Sequence, residues 1–491
     1  MELRGYQKTL IEKLRSRLAG GKRRPVVQAP TGAGKTVIAA ELVNLARRRG
    51  KSVIFTVPSL SLIDQTVERF MQNGIFDVAV MQGMHELTDA SQPVQVCSVQ
   101  TLARRTIPMV DFVIVDECHQ MFKLYDDWMN RPEWKDVPFV GLTATPWAKG
   151  MGAKGRWDDL IICTTTQELI TDGTLSDFKV FAPAHPDLTG VQIQAGDYKV
   201  DQLGAAMDKK NLVADIVTTW VEKAEDRPTI CFAVNRAHAK SIQLEFQEAG
   251  VACAYLDGFS DLEERAEVFR QFKAGEVKII SNVGVLTTGF DSDVRCIILA
   301  RPTRSEILYT QMIGRGLRKA DGKDHCLILD HSDTTLKLGF VTELGKDALD
   351  DGTARRQTTE RKKPLPKECP KCTFLRPPKL AQCPACGFKP EVRSQIACDD
   401  GELYELTKDK KLTVKQQKYT MAEKQIFYSE LLLHAHLRGY KSGWAYFAYK
   451  DRFGKNPDHS LSNSKAGMIR PETDRWITAR NIRNAKRKGA A

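Results

Sequence analysis

Four groups of residues in this chain have types and spacings that could do chemistry. The first is Pro25–Glu41, PVVQAPTGAGKTVIAAE, which fits the phosphate-binding pattern G-x-x-x-x-G-K-[ST] except that Ala29 takes the first glycine position. Gly32 and Gly34 let successive backbone N–H groups face one anion at the positive end of the helix that follows. Lys35 can then reach the β- and γ-phosphates of a nucleotide while the Thr36 hydroxyl ligates Mg²⁺. The plainer reading is an ordinary turn before a core helix. The second group, Asp116-Glu117, follows Val113-Ile114-Val115, so both carboxylates emerge at a strand end. Asp116 there suits Mg²⁺, largely through water, and Glu117 suits the orienting or deprotonation of an attacking water. The third is Gln311–Arg318, QMIGRGLR, in which Arg315 and Arg318 share one helix face. Planar guanidinium forks aimed at a γ-phosphate stabilise the charge that develops as it is transferred.

The fourth group is Cys369, Cys372, Cys383 and Cys386, two C-x-x-C pairs that present four sulfurs for tetrahedral Zn²⁺. Redox chemistry needs only one such pair. A closed four-sulfur site has no open position, which predicts a structural zinc ribbon. The other eight cysteines, Cys97, Cys118, Cys163, Cys231, Cys253, Cys296, Cys326 and Cys398, are scattered singly, as expected of reduced thiols.

These groups need a scaffold that brings strand ends together. Short apolar runs at 53–57, 78–81, 94–97, 112–115 and 139–142 alternate with helical patterns, which predicts a parallel sheet with helices on both faces. Ligands of such sheets lie beyond the carboxyl ends of the strands. Arg47-Arg48-Arg49-Gly50 reads as a charged helix end followed by a glycine cap. The pattern loosens from about Phe181 to Gln202, the expected hinge. A second alternation, with strands at 229–233, 252–256, 277–281, 296–300 and 326–329, lacks a phosphate loop of its own. The expected organisation is α/β: two tandem parallel-sheet domains (1–185 and 186–344), a linker (345–368), the zinc ribbon (369–392) and a mainly helical basic C-terminal region (393–491).

The set Gln7, APTGAGKT, VPSLSL, SVQTL, DECH and LTATP, followed by NVGVLTTGFD and QMIGRGLR, resembles the tandem RecA-like motor of superfamily 2 helicases of the DEAD/DEAH type. Together with CLILDHS, these strings are most similar to the RadD-like branch of bacterial and phage DNA-repair helicases. The resemblance covers roughly residues 1–340. It implies ATP and Mg²⁺ as cofactors, held by Arg4, Gln7, Thr31, Gly32, Ala33, Gly34, Lys35 and Thr36, with Gly289 and Asp291 joining from the second domain and Gln7 meeting adenine. It implies catalytic roles for Lys35, Asp116, Glu117, Arg315 and Arg318. It also implies nucleic-acid contacts at Pro58, Ser59, Gln100, Thr101 and Thr287, and a coupling role for Thr143-Ala144-Thr145. DECH departs from the DEAD spelling common among RNA helicases and leans towards DNA. RNA is the alternative polymer, and a clamp with little unwinding is the non-enzyme alternative.

Charge adds an independent observation. The chain of 491 residues carries +12 overall, but residues 355–491 hold 30 Lys and Arg against 14 Asp and Glu, a net of +16, which leaves −4 for residues 1–354. A basic appendage on a near-neutral body suggests a polyanion partner. In the segment Gly439–Phe453, Trp444 alternates with Lys441, Lys450 and Arg452. Such aromatics can stack on bases while the cations hold phosphates, or they can form the core of a small helical unit. No apolar run approaches the roughly 20 residues that span a bilayer, and Met1 leads directly into ELRGYQ without a secretory pattern. The expected place is the cytoplasm of a bacterium or phage-infected cell, with no membrane partner. Single-strand-binding or recombination proteins are candidate protein partners.

Overall fold

A computed structural model describes residues 3–286, 292–353, 364–378, 380–389, 419–441, 443–461 and 468–488. The chain divides into two compact units, Met1–Val392 and Arg393–Ala491. In the first, seven strands, β1 (Pro25–Gln28), β2 (Val53–Val57), β3 (Val78–Val80), β4 (Val94–Ser98), β5 (Phe112–Asp116), β6 (Phe139–Thr143) and β7 (Asp159–Ile162), form a parallel sheet in the order β3-β4-β2-β5-β6-β1-β7. Val26, Val27, Ile54, Val113, Ile114 and Val115 are fully buried, because helices cover both faces and the strands are apolar on both sides. Trp128, Trp134 and Phe139 meet edge to face at centroid distances of 5.0 to 6.1 Å. Each such pair contributes about 0.5–1.5 kcal/mol beyond its buried area.

The second sheet takes in β8 (Asp177–Phe181), β11 (Thr229–Phe232), β12 (Cys253–Leu256), β13 (Ile279–Asn282), β14 (Cys296–Leu299) and β15 (His325–Asp330), in the order β12-β13-β11-β14-β15-β8 and again all parallel. A two-stranded hairpin, β9 (Ile193–Gln194) with β10 (Asp197–Tyr198), lies between β8 and the second alternation. The edge strand β8 was not foreseen. Asp177 pairs with His325, so residues expected in the first domain supply the edge of the second sheet. The sequence DFKVF is half exposed, which is why it lacks the continuous apolar signature of its neighbours.

Two later segments fold back on this body. At the start of the expected linker, Gly150 N donates to Asp350 Oδ1 (2.8 Å) and Gly152 N to the Asp350 carbonyl (2.7 Å), so the described part of 345–353 is anchored on the first domain. The four-cysteine module, built on the antiparallel pair β16 (Lys367–Glu368) and β17 (Leu375–Arg376), is docked against β8. Ala182 N donates to the Thr373 carbonyl at 3.0 Å, the Phe374 ring meets Phe181 at 5.4 Å, and Leu375 is buried in the motor core. His185 lies between Asp333 (2.6 Å) and Glu368 (3.0 Å), tying the module to the second domain.

The C-terminal unit holds helices Met421–Leu437, Gly443–Phe453 and Pro471–Lys488. Thr420 and Glu423 form a capping box at the first of them. Phe427, Leu431, Ala445, Ala448, Tyr449, Leu461 and Ile477 make its core. No described helix is long and apolar enough to cross a membrane.

Candidate nucleotide site and metal centre

The phosphate loop leaves the carboxyl end of β1, where Ala29 N donates to the Thr143 carbonyl at 2.9 Å. Gly32 (φ +87°) and Gly34 (φ +80°) adopt left-handed conformations that favour glycine. Ala29 is not among the positive-φ residues, so its departure from the motif carries no backbone strain. Gly34 caps the helix Lys35–Arg47, which buries Ile38, Ala39, Ala40, Leu42 and Val43 and thereby fixes Lys35 and Thr36 at its first turn.

Lys35 Nζ lies 2.6 Å from Glu117 Oε1, with both side chains mostly buried. Glu117 follows β5 with φ +46°, an uncommon conformation for a residue with a side chain and one that recurs at functional sites. Its other oxygen accepts from Thr143 Oγ1 at 3.4 Å and faces His119 Nδ1 at 3.3 Å, while His119 Nδ1 lies 2.8 Å from Thr143 Oγ1. Burial would raise the Glu117 pKa, but the Lys35 ammonium and His119 outweigh it and hold the group well below the usual carboxylate range. Asp116 shifts the opposite way, raised by burial and by the Glu117 carboxylate. The two neighbours thus differ in charge: Glu117 is an ionised carboxylate held by Lys35, and Asp116 is one whose charge a divalent cation would stabilise. The Thr36 hydroxyl and Asp116 are the oxygen donors that fit Mg²⁺, which would supply charge neutralisation on the phosphates.

The second domain closes this site. Its helix Glu306–Gly316 packs so tightly on the phosphate loop that a Cβ at Gly314 would stand 2.8 Å from Thr31. Gln311 Nε2 lies 3.3 Å from His119 Nε2, extending the polar chain from Lys35 across the domain boundary. Arg315 is buried on this helix, but the helix ends at Gly316, so Arg318 does not share its face as expected and instead pairs in antiparallel fashion with Leu175, which itself leans on Gly32. Sequence reasoning flagged the DECH string and the Gln before the arginines but gave neither His119 nor Gln311 a role. Their signal was adjacency to chemistry already assigned.

At the opposite end of the loop, Gln7 is 3% exposed; its oxygen accepts from Arg4 N at 3.0 Å and its nitrogen donates to the Ala33 carbonyl at 3.0 Å. Tyr6 Oη donates to the same carbonyl at 3.1 Å, a contact not anticipated from sequence. Gln7 is thereby tied to the phosphate loop, with Arg4 beside it. Among the expected nucleic-acid residues of the motor, the structure brings four together: Gln100 Nε2 donates to the Pro58 carbonyl at 3.0 Å, with Ser59 and Thr101 alongside at the ends of adjacent strands β2 and β4. Thr287, Gly289 and Asp291 lie outside the described residues.

The expected set in the C-terminal unit divides. Lys441 and Lys450 are exposed. Arg452 is turned inwards, its guanidinium 4.2 Å from the centre of the Phe427 ring and within 5.5 to 5.8 Å of Tyr419, Trp476 and Phe453. Trp444 stacks on His434 at 5.2 Å with Arg480 over its ring at 5.4 Å. Both side chains thus pack on the aromatic cluster of this unit, which also includes Phe427, Tyr428, Tyr449, Phe453 and Trp476.

The four cysteine sulfurs all lie within 4.8 Å of one another, with Cys369–Cys386 and Cys372–Cys383 each at 3.7 Å. A tetrahedron with Zn–S bonds of about 2.3 Å has edges of about 3.8 Å. Burial opposes ionisation of Cys369, but the backbone amides of Lys371 and Cys372 donate towards it and favour its thiolate. The donor set and its spacing fit zinc.

A parallel domain carrying a phosphate loop and paired carboxylates, closed by a second parallel domain that supplies arginines instead, defines a tandem RecA-like ATP-driven motor. Residues 1–148 match the family described as "Type III restriction enzyme, res subunit", and residues 208–320 match "Helicase conserved C-terminal domain". The chain belongs to the superfamily 2 helicases. It is similar to a 51.5 kDa protein of a Lactococcus phage (isolate 7-9), at 29% identity over 405 residues covering 80% of this chain and 85% of that one. It is also similar to IRC3 of Saccharomyces cerevisiae, at 30% identity over 351 residues covering 67% of this chain; the match spans 51% of the yeast protein, about half its length. Among solved structures, a DNA-bound ATP-dependent Type ISP restriction-modification enzyme, LlaBIII, shares the fold with a TM-score of 0.51 and 19% identity over 67% of this chain and 27% of that chain.

Proposed function

We propose that this chain is an ATP-dependent DNA helicase or translocase whose hydrolysis site is assembled from both motor domains. The observation that carries the reading is the continuous contact from Lys35 through Glu117 and His119 to Gln311, with the helix Glu306–Gly316 seated on Thr31. Lys35 grips the β- and γ-phosphates, Thr36 and Asp116 hold Mg²⁺, Glu117 activates the water, and Arg315 with Arg318 stabilises the transferred phosphoryl group. Arg4 and Gln7 sit on the adenine side, while Gly289 and Asp291 complete the nucleotide contacts and Thr287 meets the strand backbone. Nucleic acid runs over Pro58, Ser59, Gln100 and Thr101. Closure around ATP and release after hydrolysis shift the two domains along the strand. Zinc at Cys369, Cys372, Cys383 and Cys386 is structural.

DNA is the favoured polymer. The DECH spelling, the restriction-enzyme family of residues 1–148 and the DNA-bound neighbour support it. We further propose a place in the RadD-like branch, with work in replication, recombination or repair in a bacterial or phage-infected cytoplasm. ATPase assays with single-stranded DNA, forked DNA and RNA in parallel test the reading. Stimulation by DNA above RNA is expected, and stimulation by RNA alone overturns the DNA assignment.

A further inference from the structure

We infer that Lys323 is a positioning residue for Arg318, fixing the backbone from which that guanidinium reaches the nucleotide. The inference rests on the arginine role proposed above. The helix Glu306–Gly316 ends just before Arg318, and the last carbonyls of a helix have no intrahelical donors. Lys323, on the turn leading to β15, is 5% exposed. Its ammonium donates to the carbonyls of Gly316 (2.5 Å), Arg318 (2.7 Å) and Val294 (2.7 Å). The three protons of the ammonium thus meet three acceptors, two of them in the segment that carries Arg318. The charge also lies at the negative end of the helix dipole.

The opposite side of the same segment is held by the chain entering β8. Ser176 N donates to the Leu317 carbonyl at 2.8 Å, Ser176 Oγ donates to the Arg318 carbonyl at 3.2 Å, and Leu175 pairs with Arg318. Gly316 fits against Cys326 so closely that a Cβ there would stand 2.4 Å from the sulfur. The backbone at 316–318 is therefore clamped between the interdomain segment and a buried cation, and Lys323 meets Arg318 through its backbone carbonyl. A misplacement of about 1 Å in a transition-state group can lower the rate about 10²-fold, so a remote anchor of this kind acts on turnover rather than on nucleotide affinity.

The test uses the full chain with saturating nucleic acid, below the melting temperature of every variant. Lys323→Met should lower kcat for ATP about 10- to 100-fold while KM and the affinity for a non-hydrolysable ATP analogue change less than about threefold. Arg318→Lys should lower kcat strongly by itself, and adding Lys323→Met to it should lower kcat less than about twofold further, because both changes act through one group. If Lys323→Met does not fold, Lys323→Gln, which keeps two donors, should give a several-fold loss in kcat with KM preserved. Unchanged kcat per folded molecule in the variant that folds, even with a lower melting temperature, would reduce Lys323 to a structural residue. Full multiplication of the two losses would place its action elsewhere. Normal turnover in Arg318→Lys removes the arginine assignment itself, and the inference with it.

Discussion

In the motor, ionisable side chains gather beyond the strand ends, partly open and facing one another across a domain boundary. In the C-terminal unit, Glu430 and Arg452 are instead packed among helices and rings, while Lys441 and Lys450 stay exposed. Lys35 and Glu117 form a pair at 2.6 Å with 18% and 14% of their side chains exposed, where a nucleotide can separate them. Glu430, 2% exposed, instead accepts from Arg470 at 2.6 Å and from Thr473, and Arg452 is surrounded by aromatic rings. The first arrangement stores charge where a ligand can use it. The second uses charge to hold three helices together, since a buried carboxylate without its cation and a cation without its rings would each be costly. Residue type does not distinguish the two cases; position relative to a sheet's carboxyl edge does.

This contrast can be broken at several points. The largest effect is expected from Arg318→Lys, which keeps charge but loses the planar fork: turnover should fall about 10³-fold or more while nucleotide-free DNA binding is preserved, read by steady-state ATPase and by fluorescence anisotropy. Glu117→Gln should lower turnover by about 10²–10⁴-fold yet still bind ATP, whereas Lys35→Ala should weaken ATP binding itself; filter binding of labelled ATP separates them. Near-normal hydrolysis in Glu117→Gln would remove its role as base. Next, protein purified without chelator should contain about one zinc per chain. Because the ribbon covers β8, Cys372→Ser should lower the melting temperature of the motor unit by about 2–3 °C if about 2 kcal/mol of docking is lost. Stoichiometric absence of zinc would contradict the metal assignment. The smallest effects lie in the C-terminal unit. Arg452→Ala should cost about 1–2 kcal/mol of stability by calorimetry and leave the salt dependence of DNA binding alone. Lys441→Ala with Lys450→Ala should do the reverse, lowering the slope of log affinity against log salt by about 1–2. An exchange of these two outcomes would mean that Arg452 contacts phosphate.

Much of the site was legible because its chemistry depends on backbone shape. A loop with left-handed turns at Gly32 and Gly34, carboxylates at the end of a β-branched run and two C-x-x-C knuckles each leave fixed spacings in the sequence. Apart from the edge strands β7 and β8, both parallel sheets followed from the alternation of apolar runs, with strand ends displaced by one or two residues. Other features depended on distant partners. β8 is a half-exposed edge strand, and its pairing with β15 rests on residues about 150 positions away. The anchoring of Asp350 on Gly150 and the docking of Leu375 in the motor core leave no local periodicity. Trp444 and Arg452 were ambiguous for a different reason: a helix of mixed aromatic and basic residues has no face assigned until its neighbours are known.

A motor site shared by two domains requires that Glu117 of the first and Arg318 of the second act together. Single-turnover ATP hydrolysis at saturating single-stranded DNA, measured for Glu117→Gln, Arg318→Lys and the double variant, tests this. Residues that serve one transition state are grossly non-additive, so the double variant should be no more than a few-fold slower than the worse single one. Losses that multiply in full, or an Arg318→Lys enzyme that hydrolyses ATP at the wild-type rate, would contradict a site built across both domains.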